Sequence, residues 1–326
     1  MTNFALPAAF QRGIENLAAD ISRSDIAERA EKISQNDIKY KASRSVIVNS
    51  ADVAAYLTSR GPATYAACAA AFSALAKRAP SLAPLSVLDI GAGPGTASWA
   101  AIQQWPNIAA ISMVDENEEM LRAAGALCKG ADHPALRNAR IARAAMSGGN
   151  GQEKYDLVVA SYAIGELALN DMRSTLQTLW RSAARALVIV EPGTPEGYSH
   201  IHNARELLIK AGAEIAAPCP HAGPCPIRAP DWCHFGQRLA RTRDHMRAKG
   251  ARLPFEDEKF SYLALTRGAS LERVQAPIIN RPRAEKFGMR FRLCDEKEIS
   301  HRLILKRDKP SYRAVAHKKW GETLPI

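Results

Sequence analysis

At 326 residues, with 47% hydrophobic and 24% charged residues, the chain is long enough to bury the core of one large or two smaller globular domains. No stretch approaches the roughly 20 uninterrupted apolar residues of a membrane helix, and no basic start followed by an apolar segment marks a secretion signal. Acidic residues near the N-terminus argue against an organelle transit peptide, so the predicted location is the cytoplasm; they are Glu15, Asp20, Asp25 and Glu28.

The net charge of +11 lies in the last third of the chain. Residues 228–326 contain 23 Lys and Arg against 12 Asp and Glu, whereas residues 1–227 contain 21 of each and cancel. A localised basic surplus is typical of a surface that binds nucleic acid, because neutralising phosphates releases condensed counterions. The alternative interpretation is a solvated basic face without a partner.

The first 80 residues are predicted to be helical. Apolar side chains recur there at spacings of three and four, as in Phe10, Ile14 and Leu17. After Pro80 and Pro84, short apolar runs alternate with helical stretches, which predicts an α/β fold with a parallel sheet and crossover helices. The predicted strands are 86–90, 110–114, 139–144, 155–160 and 186–190.

Prolines, glycine and cysteines interrupt this alternation at 218–236, which predicts a loop. Helical spacing resumes over 235–249, and 259–266 is predicted to be a strand. A small antiparallel β appendage is predicted beyond it, from β-rich patterns at 289–294, 299–306 and 311–318. The predicted domains are a helical region (1–80), a cofactor-binding core (81–217), a Cys-rich metal-binding insertion with a helix (218–258), and a last core strand with the basic C-terminal β region (259–326).

A glycine-rich turn follows the first predicted strand. Residues 87–95 read Val-Leu-Asp-Ile-Gly-Ala-Gly-Pro-Gly, and the candidate cofactor-binding residues in them are Asp89, Gly91, Gly93 and Gly95. Between a strand and a helix, such glycines let the backbone approach a bound cofactor. A dinucleotide site is the competing interpretation, because its fingerprint is similar. The Gly-x-Gly-x-Gly spacing after Asp-Ile resembles the first motif of class I S-adenosylmethionine-dependent methyltransferases, which implies a Rossmann-like fold with glycines along the methionine moiety.

Asp115 ends the next predicted strand, about twenty residues after the turn. At that position a carboxylate can accept hydrogen bonds from both ribose hydroxyls, so Asp115 is a further cofactor-binding candidate. The alternative interpretation is an ordinary residue of a strand-end turn. Residues 145–148, Ala-Met-Ser-Gly, lie where folds of this class contact adenine.

Three side chains are candidate catalytic residues because they follow predicted strands. Glu166 comes after the fourth strand, and Glu191 and Tyr198 come after the fifth. Open α/β sheets place ligands at these carboxyl ends. An acid there is also commonly a helix cap.

Cysteines are clustered in the predicted loop. Cys219, Cys225 and Cys233 stand in one run, and Cys294 follows on a predicted strand. In a cytosolic-type protein such a cluster more often ligates metal than forms disulfides. Four thiolates suit either a tetrahedral zinc ion or a cubane iron–sulfur cluster, and the long intervals between them favour the cluster, which is wider than one ion.

Two histidines leave a zinc alternative open. His221 and His234 stand inside the cysteine run and are candidates for the fourth ligand of a three-cysteine, one-histidine zinc site. Cys68 and Cys128 lie in helical stretches and are predicted to be small core residues.

The order of these motifs is similar to that of the methyltransferase-like proteins associated with the small ribosomal subunit, assembly factors of the mitochondrial ribosome with bacterial relatives. The similarity extends over most of the chain. It rests on the glycine turn, Glu191-Pro-Gly, the cysteine run with Trp232-Cys-His-Phe235, Lys259-Phe-Ser-Tyr-Leu-Ala-Leu265 and Trp320-Gly. It implies a 4Fe-4S cluster on Cys219, Cys225, Cys233 and Cys294 and binding to small-subunit ribosomal RNA. The lack of a predicted transit peptide indicates a bacterial cytoplasmic member of the family.

Two functions are consistent with these motifs. The first is an S-adenosylmethionine-dependent methyltransferase acting on ribosomal RNA. The second is a non-catalytic assembly factor that binds ribosomal RNA through a basic surface stabilised by the cluster. A radical enzyme is a weaker third interpretation, because that class usually carries Cys-x3-Cys-x2-Cys with one iron left open.

Overall fold

Four helices precede the sheet in the computed structural model, which describes residues 4–39, 46–146, 153–167, 169–272, 275–295 and 297–324, and no side chains at 36–39 and 169–170. They are α1 (Ala8–Ala18), α2 (Arg23–Lys39), α3 (Ser50–Ser59) and α4 (Gly61–Arg78). Asn49 caps α3 by accepting a hydrogen bond from the N–H of Asp52 at 3.0 Å. Helix α1 contains Phe10, Ile14 and Leu17, so the helix that their spacing predicts is confirmed. Within the described residues, no helix has the length and apolarity needed to cross a membrane.

A mixed sheet of eight strands forms the centre of the fold. Its strands are β1 (Ser86–Ile90), β2 (Ala110–Asp115), β3 (Arg140–Arg143), β4 (Tyr155–Ser161), β5 (Ala183–Pro192), β6 (Glu214–Ala217), β7 (Phe235–Ala240) and β8 (Phe255–Thr266). The order is β3-β2-β1-β4-β5-β8-β6, with β7 paired to β8. Strands β1 to β5 pair in parallel, and β8 runs antiparallel to β5, β6 and β7. The predicted α/β class and Rossmann-like methyltransferase sheet are confirmed.

Helices cover both faces of this sheet. They are α5 (Thr96–Gln104), α6 (Glu118–Lys129), α7 (Pro134–Arg137), α8 (Leu169–Ser182) and α9 (Pro195–Lys210). Along β4, Leu157 and Val159 belong to the core beside α4, α5 and α6, whereas Val158 and Ala160 belong to the core beside α8 and α9. Burial on both faces explains why these strands are continuous apolar runs in the sequence. The strand order reverses between β1 and β4, so a crevice forms at their carboxyl ends.

The helix predicted over 235–249 is wrong in its first half. Residues Phe235–Ala240 form β7, and the helix α10 covers only Arg243–Ala248. The buried residues Phe235 and Leu239 are four positions apart, which matches a helix as well as an edge strand. Pairing of β7 with the first half of β8 decides the outcome, and that partner lies beyond any local window.

The C-terminal β appendage is confirmed, with one exception. Its two sheets are formed by β10 (Arg283–Ala284), β11 (Gly288–Cys294) and β12 (Ile299–Leu305), and by β9 (Ala276–Pro277) with β13 (Thr323–Leu324). The strand predicted over 311–318 is instead the helix α11 (Lys309–Val315). Asp308 starts this helix by accepting a hydrogen bond from the N–H of Ser311, and Pro310 occupies its first turn.

Glu256 joins the elements that connect β7 to β8. Its Oε2 accepts a hydrogen bond from Arg241 Nη2 at 2.7 Å, and its Oε1 accepts one from Lys249 Nζ at 2.6 Å. Nε2 of the buried His245 lies 3.4 Å from Oε2. Burial alone would raise the pKa of Glu256, but these partners outweigh it and hold the pKa well below its ordinary value of 4.5.

Replacing Glu256 is therefore expected to destabilise the protein in a pH-dependent way. In Glu256→Gln, the largely buried side chains of Arg241, His245 and Lys249 lose the carboxylate that they contact. The free energy of unfolding is therefore expected to fall by about 2–4 kcal/mol at neutral pH. Because the folded-state pKa is depressed, the wild-type advantage is fully present above about pH 4.5 and declines as the pH falls below it. Urea unfolding at several pH values measures both effects.

The control is Asp257→Asn, which removes the neighbouring ion pair with Arg238, whose two side chains are 50% and 44% exposed. Exposed pairs contribute at most about 1 kcal/mol. Equal losses in the two variants, or a Glu256→Gln deficit that does not change with pH, would contradict this role of Glu256.

Candidate functional sites

A recess opens at the carboxyl ends of β1, β2 and β4, where the strand order reverses. It contains about 700 Å³ of empty space, part of it open to solvent, which is within the range of small-molecule sites. The glycine turn forms its floor, and Tyr56 of α3 and Thr64 of α4 contribute to its wall. The N-terminal helices are thus part of the site.

Gly91 and Gly93 line this recess with a left-handed backbone, at φ +65° and +53°. A Cβ atom at Gly91 would lie 2.5 Å from Cβ of Ala163, so a side chain is excluded by contact. No atom lies within 4 Å of a Cβ atom at Gly93, so that position faces open space. Both positions favour glycine because of φ, but only at Gly91 would a side chain also collide with a neighbouring residue.

Asp115, at the end of β2, also lines the recess and contacts the glycine turn. Its Oδ2 accepts a hydrogen bond from the N–H of Gly93 at 2.8 Å, and its Oδ1 accepts one from the N–H of Asn117 at 2.8 Å. Each carboxylate oxygen has a second lone pair, so the group can still accept from a ligand hydroxyl. The two bonds fix the carboxylate relative to the glycine turn.

Asp89, at the end of β1, and Gly95, at the end of the turn, are not among the residues that line the recess. Asp89 is fully buried, and its Oδ2 accepts hydrogen bonds from Ser98 Oγ at 2.7 Å and from the N–H of Ser98 at 3.1 Å. Burial raises the pKa of Asp89 to about 6 although these bonds oppose the shift. Within the described residues, Asp89 Oδ1 has no hydrogen-bond partner. Gly95 packs against Met113.

The segment predicted to contact adenine is described only in part. Ala144 and Met146 line the recess. Residues 147 and 148 of this segment lie outside the described residues.

The three catalytic candidates are not brought together. Glu166 lines the recess. Glu191 is buried beneath it, where its Oε1 accepts hydrogen bonds from the N–H groups of Ala163 at 3.2 Å and Ile164 at 3.1 Å. Burial raises the pKa of Glu191. Tyr198 does not line this recess, and its hydroxyl lies 3.4 Å from Sγ of Cys225 in the cysteine loop. Glu191 therefore fixes the segment after β4 and does not face a ligand in the recess.

Tyr162 is a recess residue that the sequence analysis did not identify. Among the described residues it is the single non-glycine residue with positive φ, at +54°. Its hydroxyl donates a hydrogen bond to Glu258 Oε1 at 2.9 Å, and its N–H donates to the carbonyl of Val190 at 2.7 Å. A left-handed tyrosine is a strained conformation of the kind that is common at functional sites. No local pattern indicates it, because Glu258 lies far along the chain.

A second recess brings the four predicted ligand cysteines together. Cys219, Cys225, Cys233 and Cys294 line about 520 Å³ of empty space, part of it open to solvent, with mainly apolar walls. Burial and then the nearby thiols of Cys219, Cys294 and Cys225 raise the pKa of Cys233. Cys294 lines this recess from β11, which belongs to a different sheet.

Side chains from distant elements hold the cysteine loop by its carbonyl groups. Arg205 of α9, which is 3% exposed, donates to the carbonyls of His221 at 2.9 Å and Gly223 at 2.6 Å. Ser261 Oγ of β8 donates to the carbonyl of Cys233 at 2.7 Å. In the opposite direction, Trp232 of the loop donates from Nε1 to the carbonyl of Gly193, which follows β5, at 3.0 Å. An irregular loop thus acquires defined backbone contacts.

The histidines of the loop do not line the cysteine recess. The His234 ring stacks on Trp232, with ring centroids 5.2 Å apart, and meets Trp320 edge-on at 4.9 Å. No group of three or more His, Cys, Asp or Glu side chains in the described part of the chain is placed to hold a single metal ion. Cys68 and Cys128 are buried core residues, as predicted.

Two curated relatives are ribosomal or mitochondrial by name. The human protein named "Ribosome assembly protein METTL17, mitochondrial" is 29% identical over 292 residues, covering 83% of this chain and 62% of that protein. The Schizosaccharomyces pombe protein named "Rsm22-cox11 tandem protein 2, mitochondrial" is 25% identical over 295 residues, covering 74% of this chain and 38% of that protein. The chain therefore spans less than two thirds of the length of these relatives.

Similar solved structures are methyltransferases of low sequence identity. Magnesium protoporphyrin IX methyltransferase from Synechocystis PCC 6803 with bound S-adenosylmethionine is 16% identical, with a TM-score of 0.41 over 74% of this chain and 97% of that chain. Precorrin-6y C5,15-methyltransferase from Geobacter metallireducens is 18% identical, with a TM-score of 0.39 over 61% of this chain and 86% of that chain.

The family is identified by a match over most of the sequence. The family model described as "Mitochondrial small ribosomal subunit Rsm22" matches residues 50–325, and the chain therefore belongs to the Rsm22 family.

Proposed function

We propose that this protein is an assembly factor of the small ribosomal subunit that binds S-adenosylmethionine in the glycine-turn recess and an iron–sulfur cluster in the cysteine recess. The observation that carries the proposal is the convergence of Cys219, Cys225, Cys233 and Cys294 on one recess in a chain of the Rsm22 family. The assembly role is supported by the similarity to the human ribosome assembly protein.

The polar groups that line the glycine-turn recess suit the binding of S-adenosylmethionine. The backbone of Gly93 faces open space. The carboxylate of Asp115 is held in place by its hydrogen bond from Gly93 and keeps lone pairs that can accept from ribose hydroxyls. Asp89 does not line the recess, and its bonds to Ser98 hold the start of α5 against the end of β1. When bound, the cofactor supplies an activated methyl group.

The cysteine recess fits a polynuclear cluster. Four thiols are the usual ligand set of a 4Fe-4S cluster, and the mainly apolar walls limit the access of water to the sulfur atoms. The buried guanidinium of Arg205 lies beside Cys219 and offers a positive charge to the negatively charged centre that thiolates form. Each thiol loses its proton on binding iron, so loading is expected to release protons.

Ribosomal RNA is the partner that the charge distribution favours. The last third of the chain holds the whole net charge of +11, and Cys294 belongs to that third. Cysteine ligands in the loop and in β11 would join the basic appendage to the core through the cluster. We therefore assign the cluster a structural role in presenting the RNA-binding surface.

Methyl transfer to RNA is a second candidate function, favoured by Glu166 and Tyr162, which both line the cofactor recess. Glu191 and Tyr198 do not line it. In a catalytic protein, Glu166 is therefore the one of the three catalytic candidates that is placed to accept a proton from the methylated group.

Substitution of Gly93 tests cofactor binding. In Gly93→Val, the new side chain occupies the open space of the recess, and we expect S-adenosylmethionine affinity measured by calorimetry to fall at least about tenfold, as a loss of about 1.4 kcal/mol. The control is Gly250→Val, because Gly250 has nearly the same φ, +56°, and equally open surroundings. Equal affinity of the two variants for the cofactor would contradict the site.

Substitution of Cys225 tests the cluster. Anaerobically purified wild-type protein is expected to contain about four irons and four sulfides per chain. Cys225→Ser should lose most of both, because serine is a poor ligand for the cluster. The buried Cys128 lies outside the recess, so Cys128→Ala should keep the full content. Wild-type protein with one zinc and no sulfide would rule out the cluster.

Complementation separates assembly from catalysis. In cells that lack the protein, Cys225→Ser is expected to fail to restore mature small subunits, whereas Glu166→Gln is expected to restore them. Failure of Glu166→Gln, in a variant that still binds S-adenosylmethionine with wild-type affinity, would instead support methyl transfer as the function.

A further inference from the structure

The C-terminal sheet ends in a basic tip built around an exposed phenylalanine. We define the basic tip as Arg283, Lys286, Phe287, Lys306 and Arg307, all of which are exposed. Phe287 is 67% exposed and is the one aromatic residue among the exposed large hydrophobic side chains of the described residues. The exposed ring therefore belongs to an end of the sheet that also carries four exposed cations.

Backbone contacts make the basic tip a defined surface. The carbonyl of Phe287 accepts a hydrogen bond from the N–H of Lys306 at 2.8 Å, and Lys306 Nζ donates to the carbonyl of Lys286 at 3.1 Å. Gly288 pairs with Leu305 in the β11–β12 register, so the turn and the end of β12 are held together. The ring is thus presented by a short turn closed against β12.

The acid of the turn does not cancel the charge of the cations. Glu285 is bound by Arg290, whose Nη2 donates to Oε2 at 3.2 Å. Lys286 Nζ lies 5.2 Å from the centroid of the Phe287 ring, a cation–π contact. The cations therefore remain in excess around the ring.

Folding of the appendage does not require the exposed ring. Its core is formed by Phe291 and Leu293 of β11 with Val315 of α11, on the covered side of the sheet. Phe287 is not part of that core. An aromatic ring left in water among cations combines the two features that bind single-stranded nucleic acid, a stacking surface and a phosphate-binding surround.

We infer that the basic tip is a docking site for single-stranded RNA, in which an unpaired base stacks on Phe287 and the adjacent cations bind the flanking phosphates. The inference rests on the proposed function only in taking this RNA to be ribosomal. An apolar protein partner would not require four exposed cations in the same tip as the ring, so charge complementarity favours RNA.

The test is fluorescence anisotropy with the anaerobically purified protein and a labelled, unstructured oligoribonucleotide. Since a base stacked on an aromatic ring contributes about 1–3 kcal/mol, Phe287→Ala should weaken binding about 5- to 150-fold. Phe287→Trp should keep most of the affinity, because it keeps an aromatic face. Phe287→Leu should behave like Phe287→Ala, because it keeps apolar area but no such face.

Two further variants complete the design. Leu253→Ala removes an apolar side chain that is 56% exposed outside the tip and should bind RNA as the wild type does. Lys306→Ala should reduce the slope of log affinity against log salt by about 0.7. Equal unfolding midpoints of the variants would exclude loss of folding as the cause.

Wild-type affinity in Phe287→Leu would overturn stacking and identify an apolar contact instead. Unchanged RNA affinity in Phe287→Ala, with association of the protein with small subunits intact, would overturn the docking site and leave the proposed function standing. Loss of oligonucleotide binding in Phe287→Ala would support the docking site even if the protein had no part in subunit assembly.

Discussion

The antiparallel pairing of β8 with β5 is the constraint on which both recesses depend. Glu258 of β8 accepts the hydroxyl of Tyr162 at the cofactor recess, and Ser261, three residues later, binds the carbonyl of Cys233 at the cysteine recess. Three residues of strand span about 10 Å. One strand therefore fixes side chains at both sites. A shift of β8 by one residue would turn both side chains to the opposite face and disturb the two recesses together.

Helix α9 contacts both sites as well. His200 Nδ1 lies 3.6 Å from Oε2 of Glu191, whose other oxygen holds the segment that follows β4. On the same helix, Tyr198 reaches the thiol of Cys225, and Arg205 holds the cysteine loop. The cysteine loop and the wall of the cofactor recess thus share one rigid element, which is why Glu191 and Tyr198 have structural contacts in place of the substrate contacts that their positions in the sequence suggested.

The sequence was sufficient where the decisive forces are local or strongly patterned. Strands β1, β4 and β5 are apolar runs because both faces of the sheet are buried, and the chemistry of cysteine alone grouped the four residues that the fold brings to one recess. Long-range pairing was not accessible, so β7 was predicted as a helix. For α11, the Asp308 cap and the following proline were a local signal that the alternating pattern concealed. Motif spacing also could not distinguish Asp115, which lines the recess, from Asp89, which does not. The left-handed backbone of Tyr162 was not predictable either, because its hydroxyl bonds to a partner 96 residues away.

A polynuclear cluster on four cysteines is what would join the basic appendage to the methyltransferase-like core, since Cys294 lies in β11 and the other three thiols lie in the loop after β6. X-ray absorption spectroscopy at the iron edge, on anaerobically purified protein, measures this most directly. We predict iron with sulfur neighbours and a clear shell of neighbouring iron atoms, as a cubane requires. A metal with sulfur neighbours but no second metal shell would contradict the cluster.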